Sequence, residues 1–110
     1  ASGYNYDGTT TGNKIAKAMA STTGWYSFTQ TGVPGNDQSA NNDSGFNAFP
    51  EGTRNYNGSF YNEGNNAIFW SSTEYNTFNA WFRPLTTNNS YLGRNSNYKQ
   101  NGFSVRFVRD

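Results

Sequence analysis

Residues 69–110 read FWSSTEYNTFNAWFRPLTTNNSYLGRNSNYKQNGFSVRFVRD. Taken at alternate positions, the stretch separates into two sets. Trp70, Trp81, Arg83, Leu85, Leu92, Arg94, Lys99, Phe103, Val105 and Phe107 are bulky, apolar or charged and read as scaffold. Between them lie Tyr75, Asn76, Phe78, Phe82, Pro84, Thr87, Asn88, Tyr91, Gly93, Asn95, Asn97 and Tyr98, which share neither size nor polarity. Side chains alternate along a strand with period two, so the split predicts strands with one face packed and the other in solvent. Strands are expected over 67–72, 80–85, 90–94 and 102–108, with hairpin loops at 86–89 and 95–101. The last strand sets Phe103, Val105 and Phe107 against Ser104, Arg106 and Val108 and is expected to be central to the sheet. The solvent face offers Tyr, Phe, Asn, Ser and Gly where Lys, Glu and Thr are usual, a palette close to that of antibody binding loops.

Upstream, the spacing of Ile15, Ala18 and Met19 predicts a short helix over 13–20, capped by Thr11 or Asn13 and stopped near Gly24. Trp25 then enters the core. Residues 26–49 read as a long loop with two turn-rich runs, 32–37 and 41–45, pinned by Phe46, Phe49 and Pro50. Asn57-Gly58 is the signature of a tight hairpin.

Composition narrows the function. A chain of 110 residues reads as one small domain, residues 1–110, or as part of one. A net charge of +1 with 14% charged residues leaves no electrostatic footprint for nucleic acid or for an anionic membrane. No apolar run approaches the ~20 residues of a membrane span. Aromatics at 18% argue against disorder. With no cysteine and no histidine, the usual nucleophile–base pairs and transition-metal clusters cannot be built. Asp7, Asp37, Asp43, Glu51, Glu63 and Glu74 fall in or beside turns and read as caps or solvated groups, so no catalytic residue and no enzyme is expected. Asn36, Asp37, Asn41, Asn42 and Asp43 supply calcium-type oxygens without an EF-hand spacing. They read as Asx-turns rather than as a structural calcium site, which no motif supports, and no other metal or cofactor is expected. Ser71-Ser72-Thr73-Glu74 reads as a strand corner held by side chain–backbone bonds. Arg83 and Arg94 read as scaffold on the packed side and, if buried, are expected to need partners such as Glu51 or Glu74.

The phrases GTTTGNKIAKAMASTTGW, NNDSGFNAFPEGTRNYNGSF, FWSSTE, NAWFRPL and GFSVRFVRD resemble the Fibrobacter succinogenes major paralogous domain over nearly the whole chain. The resemblance implies an α+β, C-type-lectin-like fold related to the formylglycine-generating enzyme, with a short helix and a small, mainly antiparallel sheet. It departs from the family at Ala67-Ile68-Phe69-Trp70, where Gly-Tyr-Trp-Trp is usual, and at Phe107, a frequent Cys. A WMAENL-like strand and an HVPT-type helix are also missing, so the chain reads as the C-terminal two-thirds of the domain or as a shortened variant of it, and a missing first strand would leave an open sheet edge. That edge would pair with the rest of its own protein or with an oligomer partner.

Several such domains resemble variable proteins of diversity-generating retroelements, in which adenines of a C-terminal segment are rewritten. Randomising the adenines of an Asn codon, AAC or AAT, cannot produce Lys, Glu, Gln, Met or Trp, and all twelve interleaved residues belong to the permitted set. The implied function is a hypervariable ligand-binding region over about 75–101, with Phe78, Phe82, Tyr91 and Tyr98 as an exposed aromatic patch. It would be displayed outside the cell, on a bacterial surface or a phage tail fibre, and bind a protein or glycan receptor on a cell surface. A fixed carbohydrate-binding module and a structural adhesin or fibre subunit are the alternatives.

Overall fold

The structure, a computed structural model, describes residues 3–107. It contains one helical turn, α1 (Ala16–Met19), a 3-10 turn (Gln38–Ala40) and five strands. These are β1 (Thr53–Arg54), β2 (Phe60–Tyr61), β3 (Asn66–Glu74), β4 (Asn79–Thr86) and β5 (Asn95–Tyr98). β1 and β2 form an antiparallel hairpin, and β3, β4 and β5 form an antiparallel sheet in that order. Small antiparallel sheets beside one short helix are compatible with the α+β class.

The core is built from small residues. Leu85 is fully buried and packs among Ala16, Ala20, Trp25, Ala48 and Ala67, with Met19, Phe46, Phe69 and Leu92 closing around them. Alanine lets backbones approach, and Ala20 and Ala48 form a parallel bridge supported by Ser21 N–H to Ala48 O (2.9 Å) and Ala48 N–H to Met19 O (2.8 Å).

Loops make up most of the first fifty residues, and their backbone groups still require partners. Side-chain amides supply many of them. Buried Asn5 donates to Thr11 O and accepts from Lys14 N–H (2.8 and 3.0 Å). Gln38 accepts from Trp25 N–H (3.0 Å) and donates to Trp25 O (2.9 Å), gripping that residue as a neighbouring strand would. Buried Asn41 donates to Ser21 O and Pro34 O (2.9 and 3.0 Å).

The helix is shorter than its pattern predicts. Ile15 takes the N-cap position with no side-chain cap bond, and the chain is extended by Ala20. Neither Thr11 nor Asn13 caps it, because Asn13 spends its amide on Leu92 (Nδ2 to O 2.7 Å, N–H to Oδ1 2.9 Å).

Two strands also fall elsewhere. Residues 90–94 are not a strand, and the expected loop 95–101 contains β5, whose Asn95 and Tyr98 pair with Phe82 and Asn79. Asparagine has low strand propensity, but β4 offers an open edge and its ladder decides the conformation. Segment 102–107 is not a central strand. Gly102 pairs with Arg54 and Ser104 makes one parallel bridge to Phe69 on the outer side of β3. Past it, Arg106 lays its guanidinium 4.4 Å from the Phe46 ring centroid, while Val105 and Phe107, expected to be packed, are 59% and 92% exposed. Val108 lies outside the described residues.

Candidate ligand-binding face

β3 and β4 join through a tight loop at 75–78. Asn76 Oδ1 accepts from both Phe78 N–H and Asn79 N–H at 2.9 Å, so the loop is an Asx-turn that closes on itself. At its base β3 bulges, since Trp70 faces Phe82 but Glu74 faces Ala80. Ser71 Oγ accepts from Thr73 N–H (3.1 Å) within the bulge, the side chain–backbone bond expected of this corner. Phe78 is thereby displayed with 74% of its surface exposed.

The end of β5 is brought beside this tip when Lys99 N–H donates to Phe78 O (2.9 Å). A third segment comes from the β1–β2 turn. Arg54 and Gly102 exchange backbone bonds (2.8 and 2.6 Å), and Asn101 Oδ1 accepts from Tyr56 N–H (2.9 Å). The Tyr56 ring then meets the Tyr98 ring edge-on, centroids 6.3 Å apart at 88°. Tyr56, Phe78 and Tyr98, with Thr77, Lys99 and Gln100, line a cleft of ≈ 530 Å³. Lys99 also forms an ion pair with Glu74. Exposed rings beside hydroxyl, amide and ammonium groups can combine apolar contact with directed hydrogen bonds.

The twelve interleaved residues divide by environment. Phe78 and Tyr98 line the cleft. Tyr75 packs edge-on against Trp81 at 5.0 Å, and the Arg94 guanidinium lies 3.8 Å from the Trp81 ring centroid. Asn76, Asn88, Tyr91 and Asn95 are exposed and Asn97 is half-buried. Asn95 and Asn97 each turn Oδ1 onto the next residue's N–H (2.8 Å). Pro84 and Gly93 are half-buried and touch: a Cβ on Gly93 would lie 2.8 Å from Pro84 Cγ.

Two residues expected in solvent are buried. Phe82 is 8% exposed, beneath Trp70 and Phe103 (centroids 6.4 and 5.1 Å away). Thr87 is 5% exposed, its hydroxyl donating to Tyr26 O and its carbonyl accepting from Gly35 N–H. For Phe82 the reason is that β4 is covered on both sides: Leu85 belongs to the alanine-rich core, while Phe82 joins an aromatic cluster on the other face. A pattern of one packed and one solvated face therefore does not hold along β4. Tyr56, Thr77, Lys99 and Gln100 were not among the interleaved residues. Tyr56 could have been suspected as an aromatic beside the Asn57-Gly58 turn, but its approach to Tyr98 is a tertiary fact.

Neither arginine is buried, and neither pairs with a carboxylate among the described residues. Arg83 Nε donates to Gly93 O (2.8 Å), and Arg94 stacks on Trp81. In the loop rich in calcium-type oxygens, Lys17 Nζ donates to Asn36 O, to Asp37 O (2.9 Å) and to Asn41 Oδ1 (2.8 Å). Burial lowers the Lys17 pKa, opposed by nearby Asp37. Those oxygens thus already surround a cation of the chain itself.

The family model described as Fibrobacter succinogenes major domain matches residues 2–109. No curated protein and no solved structure matches the chain.

Proposed function

This chain belongs to the Fibrobacter succinogenes major domain family, and on that premise we propose that it is a non-catalytic recognition domain of C-type-lectin-like fold. Its face over 75–101 binds a protein or glycan receptor, and its exposed codons are diversified by a retroelement. It acts outside the cell, on a bacterial surface or a phage tail fibre. The observation that carries this reading is the ring cluster of Tyr56, Phe78 and Tyr98 around an open cleft, held by backbone bonds from three segments. Small domains seldom leave such rings uncovered without a partner. Rigid aromatics flanked by Asn and Ser supply anchors and adaptable hydrogen bonds, and a few anchors carry most of an interface's energy.

Burial refines the diversified set. Phe82 and Thr87 belong to the scaffold, and Gly93 varies only together with Pro84. Tyr75, Asn76, Phe78, Asn88, Tyr91, Asn95, Asn97 and Tyr98 remain as the positions free to change.

The test is to sequence the encoding locus across a growing population while measuring binding of the purified domain to glycan arrays and to candidate host cells. Substitutions concentrated at the exposed positions, with binding lost in Phe78→Ala/Tyr98→Ala, are the expected result. An invariant locus with binding to one sugar class would favour a fixed carbohydrate module, a reading consistent with rings and Gln100 around a cleft of ≈ 530 Å³. An invariant locus, no binding and concentration-dependent assembly would favour a fibre subunit.

A further inference from the structure

We infer that the chain carries a second recognition site, outside 75–101, which takes a lysine or arginine side chain of a partner protein. Tyr26, Glu51, Phe60, Tyr61 and Glu63 line a cleft of ≈ 570 Å³ together with Asn62 and Asn65.

The rings are exposed on a backbone that is itself held. Tyr26 is 64% exposed, but its N–H donates to Gly64 O (2.7 Å) and its carbonyl accepts from the Thr87 hydroxyl. Its ring lies along Gly64, where a Cβ would come within 3.0 Å of Tyr26 Cε1, and Gly64 sits at φ +82°. Only glycine takes both that conformation and that contact at no steric cost. Gly64 N–H donates to the carbonyl of fully buried Pro50 (2.8 Å), which ties the turn to the core. Phe60 and Tyr61 are held by their ladder with β1, and both side chains remain exposed. Three exposed rings carried on hydrogen-bonded backbone form a surface whose main-chain ordering cost is already met by the fold.

Charge selects the occupant. Glu51 and Glu63 both line the cleft, and among the described residues no lysine or arginine lines it and neither carboxylate forms an ion pair. Ring faces are negative and attract organic cations. A lysine or arginine matches both features, laying its apolar stem on the rings and its charged head between the carboxylates. Anionic groups are repelled, and an inorganic cation gains little from the rings.

The experiment is an amide-resolved NMR titration of the whole chain with Nα-acetyl-lysine amide and Nα-acetyl-arginine amide, using Nα-acetyl-norleucine amide as the uncharged comparator. Saturable shifts centred on Tyr26 and residues 60–64 are expected for the cations, with norleucine binding weaker. Glu51→Gln/Glu63→Gln should weaken the cations about fivefold while preserving the fold's spectrum. Equal shifts with norleucine, unchanged affinity in the double Gln variant, or no saturable shift with either cation would overturn the site. Phe78→Ala/Tyr98→Ala should leave these shifts unaltered, so this inference and the proposed function stand or fall separately.

Discussion

The amide of Asn13 grips Leu92 at both ends, Nδ2 donating to its carbonyl at 2.7 Å and Oδ1 accepting from its N–H at 2.9 Å, across 79 residues of sequence. That pair joins the segment before α1 to the segment before β5. It converts a candidate helix cap into a substitute for strand pairing. Asn13→Ala removes both bonds and should destabilise the fold by about 1–2 kcal/mol, within the range for hydrogen bonds lost from partly solvated groups. Asn13→Asp keeps the acceptor, loses the donor and should fall between. Urea unfolding midpoints check the order, and wild-type stability in Asn13→Ala would refute the clamp.

Gly93 and Pro84 are coupled through space. A Cβ at 93 would lie 2.8 Å from Pro84 Cγ and 3.1 Å from Cδ. Gly93→Ala alone should destabilise by about 1–3 kcal/mol, the usual cost of overpacking. Pro84→Ala removes the two atoms in the way, so the double variant should be more stable than the two single losses predict, by about 0.5–2 kcal/mol. A double-mutant cycle measures this coupling, and strict additivity would contradict it.

Phe82 and Phe78 lie four residues apart and should fail in different ways. Phe82 is 8% exposed and packs on Trp70 and Phe103, so Phe82→Ala should cost about 3–5 kcal/mol of stability. Phe78 is 74% exposed, so Phe78→Ala should change stability by less than about 0.5 kcal/mol and register in receptor binding. Thermal unfolding and binding assays on both variants separate the roles.

The Lys14 ammonium, 2.6 Å from Asp7, lowers the Asp7 pKa far below its ordinary 3.8, helped by the Thr9 hydroxyl and N–H. The same contact raises Lys14 above 10.5. A carboxylate depressed in the folded state contributes stability above its unfolded pKa and loses it as pH falls through the folded value. A lysine raised in the folded state contributes below its unfolded pKa and loses it as pH rises through the folded value. The stability difference between wild type and Asp7→Asn should therefore be flat between pH 3.8 and 10.5 and shrink on either side. The pair is exposed, so the plateau should be small and should fall further in high salt. Denaturation midpoints across pH test it, and a difference that persists unchanged below pH 3.8 would remove Asp7 as its source.

Much of the sheet was legible locally. The runs around Phe69 and Trp81 became β3 and β4 close to the expected bounds, and Asn57-Gly58 turned the β1–β2 hairpin. Trp25 is buried as expected, in a cluster otherwise made mostly of alanines. These succeeded because apolar periodicity and turn chemistry act over a few residues. β5 was not legible, since Asn95–Tyr98 resembles a loop until β4 supplies hydrogen-bond partners. Nor was the second covered face of β4, which depends on Phe103 arriving from twenty-one residues downstream of Phe82.

The sequence by itself determined the kind of molecule: a small aromatic, asparagine-rich domain without His or Cys, whose phrases mark its family and whose strongest strands declare themselves. Only the tertiary structure decided which aromatics reach solvent. Phe78 and Phe82 are the same residue type in the same alternating pattern, yet one is displayed and the other enclosed. It also decided what the asparagines do, because an amide can cap, turn or mimic a strand with equal chemistry. The partner it finds is set by long-range packing, and no local pattern encodes that choice.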